Sequence, residues 1–186
     1  SREDLYSVIA YIKTLKPIEY EAPERELGFP LNLLVKTMPR DVEFQEAPPR
    51  SDTVAYGKYL TNIAVCGECH SPREKGKIVD GMEYAGGMEF PLPDGSIVRS
   101  VNITPDRESG IGEWSQQAFI DRFKMYGTAE ARMMPVAEGG MNTIMPWTMY
   151  AGMTEEDLSA IYTYLQTLEP VSNPVVRYTA SVTEIE

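Results

Sequence analysis

The sequence predicts an all-α fold, in which three to four helices form one domain behind a separate helix and a linker. Apolar residues recur at three- and four-residue spacing in several segments, most clearly in 3–18 and 156–171, and this is the period of one helix face. The stretch 71–105 is instead rich in glycine and proline and shows no alternation of strands with helices. We therefore expect one short β-hairpin at most.

The first and last helical segments repeat each other in sequence. Residues 3–18 align with 156–171 without a gap, and about seven of the sixteen positions are identical. Ser1 and Thr154 stand at matching N-cap positions, acidic residues follow each of them, and a proline closes each segment. Both segments are therefore predicted to be capped amphipathic helices.

The repeat also predicts the domain organisation. We expect residues 1–18 to be the terminal helix of an upstream, homologous unit that this chain lacks, although two unrelated amphipathic helices with similar caps would give the same pattern. Residues 19–50 carry clusters of proline and charge typical of a linker. Residues 51–171 form the main unit, and 172–186 resemble an extended tail.

Two further helices are predicted inside the main unit. Ser51 or Asp52 can cap a helix that runs through Ile63. Gly57 lies within it and costs about 1 kcal/mol relative to alanine, so we expect a close crossing with the last helix. Ser115 caps another helix, which ends near position 127.

A short hairpin is the one β element that the sequence predicts. Pro93-Asp94-Gly95 is a turn signal. The segments 88–90 and 97–98 flank this turn and can pair as two short strands.

The most informative segment contains both cysteines and the single histidine of the chain, in Cys66-Gly67-Glu68-Cys69-His70. The spacing C-x-x-C-H is typical of c-type haem attachment. Two thiols three positions apart can each form a thioether with one vinyl group of the same porphyrin, and the following histidine is held near the iron. We predict one covalent haem c on Cys66 and Cys69, with His70 as an iron ligand.

Four further interpretations of this segment remain open. A structural zinc site usually takes four ligands, mostly Cys and His, whereas only three are present and Cys69 and His70 are adjacent. A redox dithiol would follow a strand in an α/β pattern, which the sequence does not show. A structural disulfide across two intervening residues would have the same spacing, and the spacing can also arise by chance.

Composition narrows the possible partners. The net charge of −11 makes nucleic acid a poor partner, because the phosphate backbone repels such a surface. No apolar run approaches the 18 residues of a membrane span, and no signal peptide opens the chain. Because the first residue is serine rather than methionine, we expect the N-terminus to be cut.

Several motifs carry a resemblance to a known family. They occur in this order: Asn102-Ile103-Thr104-Pro105-Asp106, Gly110-Ile111-Gly112-Glu113-Trp114-Ser115, Met145-Pro146-Trp147 and Met153-Thr154-Glu155-Glu156-Asp157-Leu158. With the haem segment, they resemble c-type cytochromes. They are similar in particular to the cytochrome subunits of periplasmic alcohol and sugar-acid dehydrogenases and to related dihaem cytochromes. The resemblance covers about 51–171 and implies helices around one covalent haem. It also implies an upstream haem domain, because these proteins often carry tandem domains.

Beside His70, the iron takes either a second axial ligand or an open site. A bis-histidine site within this chain is excluded, because His70 is its single histidine. A methionine thioether is the natural candidate, and the chain has ten methionines. The resemblance implies Met145, since the ligand of the family precedes a proline and lies shortly before the last helix. Met149, Met141 and Met153 are the competing candidates.

The surroundings of the haem are expected by analogy and by chemistry. His70 should donate its other ring N–H to a carbonyl, often near Pro72, which would fix the ring and its tautomer. Asn102 and Arg99 either hydrogen-bond a propionate or stabilise their loop. Trp114 and Trp147 either line the haem edge or pack as core aromatics.

The expected function is one-electron transfer by a haem with histidine and methionine ligands, rather than catalysis. The expected partners are redox proteins or a dehydrogenase or oxidase complex, and the expected location is the periplasm or another extracytoplasmic space. A different function class is a haem enzyme or gas sensor with an open sixth coordination site, and a third is a zinc-binding interaction module.

Overall fold

A computed structural model describes residues 1–39, 41, 43–137, 141 and 143–181. The chain divides into two compact units, Ser1–Ala47 and Pro48–Glu186. Residues 40 and 42 of the predicted linker and 182–186 of the predicted tail lie outside the described residues. In the part of the chain that is described, no helix is both long enough and apolar enough to cross a bilayer.

The first unit contains helix α1, Arg2–Thr14, and helix α2, Leu31–Thr37. Ser1 caps α1 as predicted: its hydroxyl accepts from the Asp4 amide, and the Asp4 carboxylate accepts from the Ser1 backbone, which completes a capping box. The sequence reasoning did not predict α2. Its residues fall within the predicted linker, 19–50.

The second unit contains six helices among the described residues: α3, Thr53–Ile63; α4, Cys66–Cys69; α5, Gln116–Lys124; α6, Ala129–Arg132; α7, Trp147–Tyr150; and α8, Glu155–Leu165. Asp52, Ser115 and Thr154 cap α3, α5 and α8 with their side chains, as the sequence predicts. A 3₁₀ turn, Met125–Gly127, extends α5.

Helices α3 and α8 cross at close range where Gly57 lies. A Cβ built on Gly57 would lie 1.9 Å from the Ala160 carbonyl oxygen and 2.9 Å from the Tyr164 Cβ. Only a glycine therefore permits this approach of the two backbones. The predicted crossing is confirmed, and its closest contacts are with Ala160 and Tyr164.

The core lies between α5 and α8. Its buried members are Ile111, Phe119, Ile161 and Leu165. Phe119 packs on Phe123 with ring centroids 5.0 Å apart. The burial of these aliphatic and aromatic side chains supplies the main driving force for assembling the helices around the Cys66–His70 segment.

Short strands correct the prediction of an all-α fold. Strands β1, Arg73–Glu74, and β2, Lys77–Ile78, form one antiparallel pair. Strands β3, Glu89–Pro91, and β4, Ile97–Arg99, form the predicted hairpin, in which Phe90 pairs with Val98. The fold is thus helical with small antiparallel sheets.

The C-terminal segment adds a strand that the sequence did not predict. Strand β5, Tyr178–Thr179, pairs with β4, so that Val98 lies between Phe90 and Tyr178 in a three-stranded sheet. The Arg99 amide also donates to the Arg177 carbonyl. Part of the predicted tail is therefore built into the domain. Two residues of β structure give too short a pattern to detect in a sequence.

Candidate functional site

A change of backbone direction presents the Cys66–His70 segment at the end of α3. Ala64 closes α3, and its amide donates to the Leu60 carbonyl. Val65 then adopts a left-handed conformation, with φ of 51° and ψ of 30°. A β-branched residue rarely takes this conformation, because its side chain crowds the backbone. Such strain is typical of functional sites, and here it lies directly before Cys66.

The two cysteines lie on the single turn of α4. Neither forms a disulfide; Cys66 is half-buried and Cys69 is exposed. Burial raises the pKa of the Cys66 thiol to about 11, so this thiol is protonated at neutral pH. Both thiols are available for covalent attachment, and a disulfide between them is not formed.

His70 is buried and oriented by one hydrogen bond. Its Nδ1 lies 2.7 Å from the Val101 carbonyl oxygen. Since a carbonyl only accepts, Nδ1 carries the proton and Nε2 keeps its lone pair. Burial also lowers the pKa of His70, which favours the neutral ring that binds metals.

The carbonyl partner corrects one expectation from the sequence. We expected His70 to donate to a carbonyl near Pro72, but the acceptor belongs to Val101, thirty-one positions along the chain. The Pro72 carbonyl accepts from the Val79 amide instead. No local pattern indicates an acceptor so distant in sequence.

Backbone contacts hold Val101 next to His70. The Gly86 amide donates to the His70 carbonyl over 2.7 Å. A Cβ on Gly86 would lie 2.4 Å from the Val101 carbonyl carbon, and its φ is +75°. Gly86 therefore lets the His70 and Val101 backbones approach the same point.

Asn102 is 3% exposed and has several partners within the protein. Its amide nitrogen donates to the Val171 carbonyl over 2.7 Å and to the Ser109 hydroxyl over 3.0 Å. Its amide oxygen accepts from the Thr104 amide and hydroxyl. These bonds use both donors and both lone pairs of the side chain, which favours loop stabilisation over a propionate contact.

Arg99 is held by the three-stranded sheet. Its guanidinium pairs with Glu89 over 2.8 Å and donates to the Thr179 hydroxyl and the Val176 carbonyl. These contacts give Arg99 a structural role in joining β4 to the C-terminal segment.

Met145 lies half-buried immediately before α7. Its amide donates to the Thr143 hydroxyl over 3.1 Å, and its carbonyl accepts from the Trp147 amide over 2.8 Å. Of the competing candidates, Met149 is 76% exposed and Met141 is 41% exposed, whereas Met153 packs against the core. Ligation of the iron by Met145 stays a prediction.

The two tryptophans lie in different surroundings. Trp147 stacks on Tyr126, with centroids 5.2 Å apart, and its buried indole N–H has no hydrogen-bond partner among the described residues. Trp114 is 39% exposed and lines an open groove of about 590 Å³ with Arg122 and Met125. The packing of Trp147 favours a role as a core aromatic.

Sequence reasoning missed Tyr84 and Tyr150. A Cβ on Gly67 would lie 3.2 Å from the Tyr84 ring, so Tyr84 packs directly on the Cys66–His70 segment. The Tyr150 hydroxyl donates to the Ala64 carbonyl over 2.7 Å. Neither contact has a local sequence signal, because each joins residues that are far apart in the chain.

The donor set fits a c-type haem. Two free thiols lie on one helical turn, and the adjacent imidazole has an unprotonated Nε2. Among the described residues, no group of three or more Cys, His, Asp or Glu side chains is placed to hold a metal ion. The residues thus fit covalent haem attachment better than a zinc site.

Comparison with known proteins agrees with this chemistry. Residues 54–169 match the cytochrome c family. The chain is 32% identical to the fructose dehydrogenase cytochrome subunit of Gluconobacter japonicus, over 89% of this chain and 34% of that protein. It is 28% identical to the cytochrome c subunit of a quinone alcohol dehydrogenase from Gluconacetobacter polyoxogenes, over 96% of this chain and 40% of that protein.

A third relative is the gluconate 2-dehydrogenase cytochrome c subunit of Pantoea cypripedii, which is 34% identical over 60% of this chain and 22% of that protein. The chain spans about a third of the length of the curated relatives it matches. All three relatives are cytochrome subunits rather than catalytic subunits, which supports the expectation of an electron carrier. The family match covers most of the second unit and includes the Cys66–His70 segment, and the chain therefore belongs to the cytochrome c family.

Proposed function

We propose that this domain transfers single electrons through one haem c attached to Cys66 and Cys69. The observation that carries the proposal is the buried His70, whose Nδ1–H is held by the Val101 carbonyl so that Nε2 is left as a ligand. The haem supplies the redox chemistry, since its iron changes oxidation state by one electron. The protein attaches the group, orients its histidine ligand and excludes water from it.

In this proposal, Met145 would supply the second protein ligand to the iron. It precedes Pro146, which is the N-cap of α7 and restricts the backbone next to the thioether. A site closed by histidine and methionine leaves no open position for a substrate, and thioether ligation favours the reduced iron. An open sixth position would instead suit a haem enzyme or a gas sensor.

Replacement of Met145 by alanine tests this ligation. We expect Met145→Ala to lose the ferric absorption band near ~700 nm, which depends on a methionine–iron bond. Met149→Ala is the matched control, because Met149 lies four positions away and is 76% exposed; this variant should keep the band. An unchanged band in Met145→Ala would refute the ligand assignment. A wild-type protein without the band that binds carbon monoxide readily would favour the open site.

We also propose a dehydrogenase or oxidase complex as the partner, working outside the cytoplasm. The relatives are cytochrome subunits of fructose, alcohol and gluconate dehydrogenases, which supports a dehydrogenase partner. Covalent haem attachment supports export to the periplasm or an equivalent space. The net charge of −11 argues against nucleic acid as a partner.

The parent protein carries a second haem unit upstream in this proposal, and α1 is the last helix of that unit. Leu158 and Leu165 are buried in α8, at 0% and 1% exposure. Leu5 and Ile12 occupy the same positions of the repeat, yet are 44% and 57% exposed. A helix that repeats the core-facing side of α8 suits the same packing in another unit. Haem quantification on the full-length parent tests this: more than one haem per chain supports the proposal, and a single haem refutes it.

A further inference from the structure

One side chain bridges the Met145 segment and the haem-attachment segment of this domain. The Tyr150 hydroxyl donates to the Ala64 carbonyl over 2.7 Å, across 86 positions of sequence. Tyr150 is the last residue of α7, which begins two residues after Met145. Ala64 lies two residues before Cys66.

Backbone hydrogen bonds join Tyr150 closely to Met145. The Trp147 amide donates to the Met145 carbonyl over 2.8 Å, and the Tyr150 amide donates to the Pro146 carbonyl over 3.2 Å. The bond from Tyr150 closes one helical turn, and the bond from Trp147 joins that turn to Met145. A displacement of Tyr150 is therefore transmitted to the backbone of Met145.

Ala64, which accepts the hydrogen bond from Tyr150, is likewise close to Cys66 in the chain. Ala64 is the C-cap of α3, and its carbonyl is one of the terminal carbonyls that have no partner within the helix. The next residue, Val65, holds the left-handed turn into α4. The tyrosine therefore satisfies the carbonyl at which the chain turns towards Cys66.

The surroundings of Tyr150 keep its hydroxyl a donor. The residue is half-buried, and its ring packs edge-on against Phe123 with centroids 6.3 Å apart. Burial raises the pKa of Tyr150 above its usual range. The hydroxyl stays protonated at neutral pH, so the bond to Ala64 persists.

We propose that Tyr150 is a positioning residue that fixes the distance between the Met145 segment and the Cys66–His70 segment and so keeps the methionine on the iron. The inference rests on the proposed ligation by Met145. Without the hydrogen bond, the segment after Met145 can move away from the attachment segment. The methionine is then displaced more easily by hydroxide-driven ligand exchange or by an added ligand.

The test is the ferric holoprotein with Tyr150→Phe, which removes only the hydroxyl. Tyr162→Phe is the matched control, because the Tyr162 hydroxyl also donates to a carbonyl, that of Trp114, over 2.6 Å, and its ring also packs on a phenylalanine. Two quantities are measured: the pH at which the band near ~700 nm is lost, and the affinity for imidazole added as a competing ligand.

We expect Tyr150→Phe to lose the band about 0.7 pH unit below the wild type and to bind imidazole roughly five-fold more tightly, as the loss of one hydrogen bond predicts. Tyr162→Phe should match the wild type in both. Equal shifts in the two variants, or no shift in Tyr150→Phe, would overturn the inference while leaving the proposed function intact. Absence of the band from the wild type would instead reject the methionine ligation itself.

Discussion

At the scale of single residues, the site depends on one imidazole held by one distant carbonyl. His70 donates to Val101 through Nδ1, and Gly86 occupies the narrow space between the two backbones. A carbonyl acceptor fixes the tautomer and the ring orientation of a metal ligand. Gly86, which permits this approach, is therefore as important as Val101, whose carbonyl is the acceptor.

Replacing Gly86 by alanine should disturb this arrangement. The new Cβ would meet the Val101 backbone at 2.4 Å, so the loop has to move. Gly76→Ala is the control, because Gly76 has φ of +81° but nothing within 4 Å of a Cβ. We expect Gly76→Ala to cost about 1 kcal/mol in unfolding free energy and Gly86→Ala about 1–3 kcal/mol more.

Urea unfolding measures both costs, and the absorption spectrum of the haem reports the orientation of His70. The spectrum should change in Gly86→Ala alone. Equal stability losses with unchanged spectra would show that the close approach of Gly86 to Val101 does not matter.

In the loop after Val101, a second group of residues makes the free energy of unfolding depend on pH in the acid range. Asp106 accepts from the Ser109 hydroxyl and amide, each over 2.7 Å. The Ser109 oxygen in turn accepts from Asn102 and from the Asn173 amide. The bonds from Ser109 lower the pKa of Asp106 below its ordinary value of 3.8.

This lowered pKa predicts a pH dependence with a definite sign. The native state binds fewer protons at Asp106 than the unfolded state, so the contribution of Asp106 is complete above the unfolded pKa. It is lost as the pH falls through the lower, folded pKa. In Asp106→Asn, the free energy of unfolding should fall less steeply below about pH 4. Identical pH slopes in urea titrations of the two proteins would contradict this prediction.

At the scale of elements, the crossing of α3 and α8 sets the position of the attachment segment. Helix α3 leads directly into Cys66, and Gly57 brings it against Ala160. Gly57→Ala should destabilise the domain by about 1–3 kcal/mol through overpacking, although alanine is the better helix former. Lys58→Ala, at an exposed position of the same helix, should stay within about 0.5 kcal/mol.

Thermal or urea unfolding of the holoprotein separates these two variants. Equal stability of Gly57→Ala and the wild type would mean that the two helices do not cross as closely as described. A loss in Lys58→Ala of the same size would point to a general sensitivity of α3 rather than to the crossing.

Whether an element could be predicted depends on how far apart in the sequence the residues that determine it lie. The caps Ser1, Asp52, Ser115 and Thr154 and the hairpin turn are local patterns, and the structure confirms them. Strand β5 and the short pair β1–β2 are two-residue elements. Their formation depends on partners brought near by the rest of the fold, which no local pattern encodes.

The same distinction holds for the candidate site: its local pattern could be predicted, whereas its contacts between distant residues could not. The spacing of Cys66, Cys69 and His70 is a local pattern, and it indicated this segment as the candidate site for haem attachment. The acceptor Val101 and the donor Tyr150 lie 31 and 86 positions from their partners, so only a folded chain reveals them. Likewise, the sequence does not show that the amide donors of Asn102 are already used within the protein. Their acceptors, Val171 and Ser109, come close to Asn102 only in the folded chain.

At the scale of the whole molecule, the chain combines one cytochrome c domain with a first unit whose helix α1 repeats α8. The fructose and alcohol dehydrogenase relatives are up to about three times longer than the stretch they share with this chain.

The most direct test of the central claim is the mass of the denatured protein after expression with the haem-attachment machinery. We predict the mass of the polypeptide plus one haem, and a haem spectrum that survives denaturation and acidified acetone. The variant with both Cys66→Ala and Cys69→Ala should show the bare polypeptide mass. A wild-type protein at the bare polypeptide mass, or one whose haem is extracted, would contradict covalent attachment at this site.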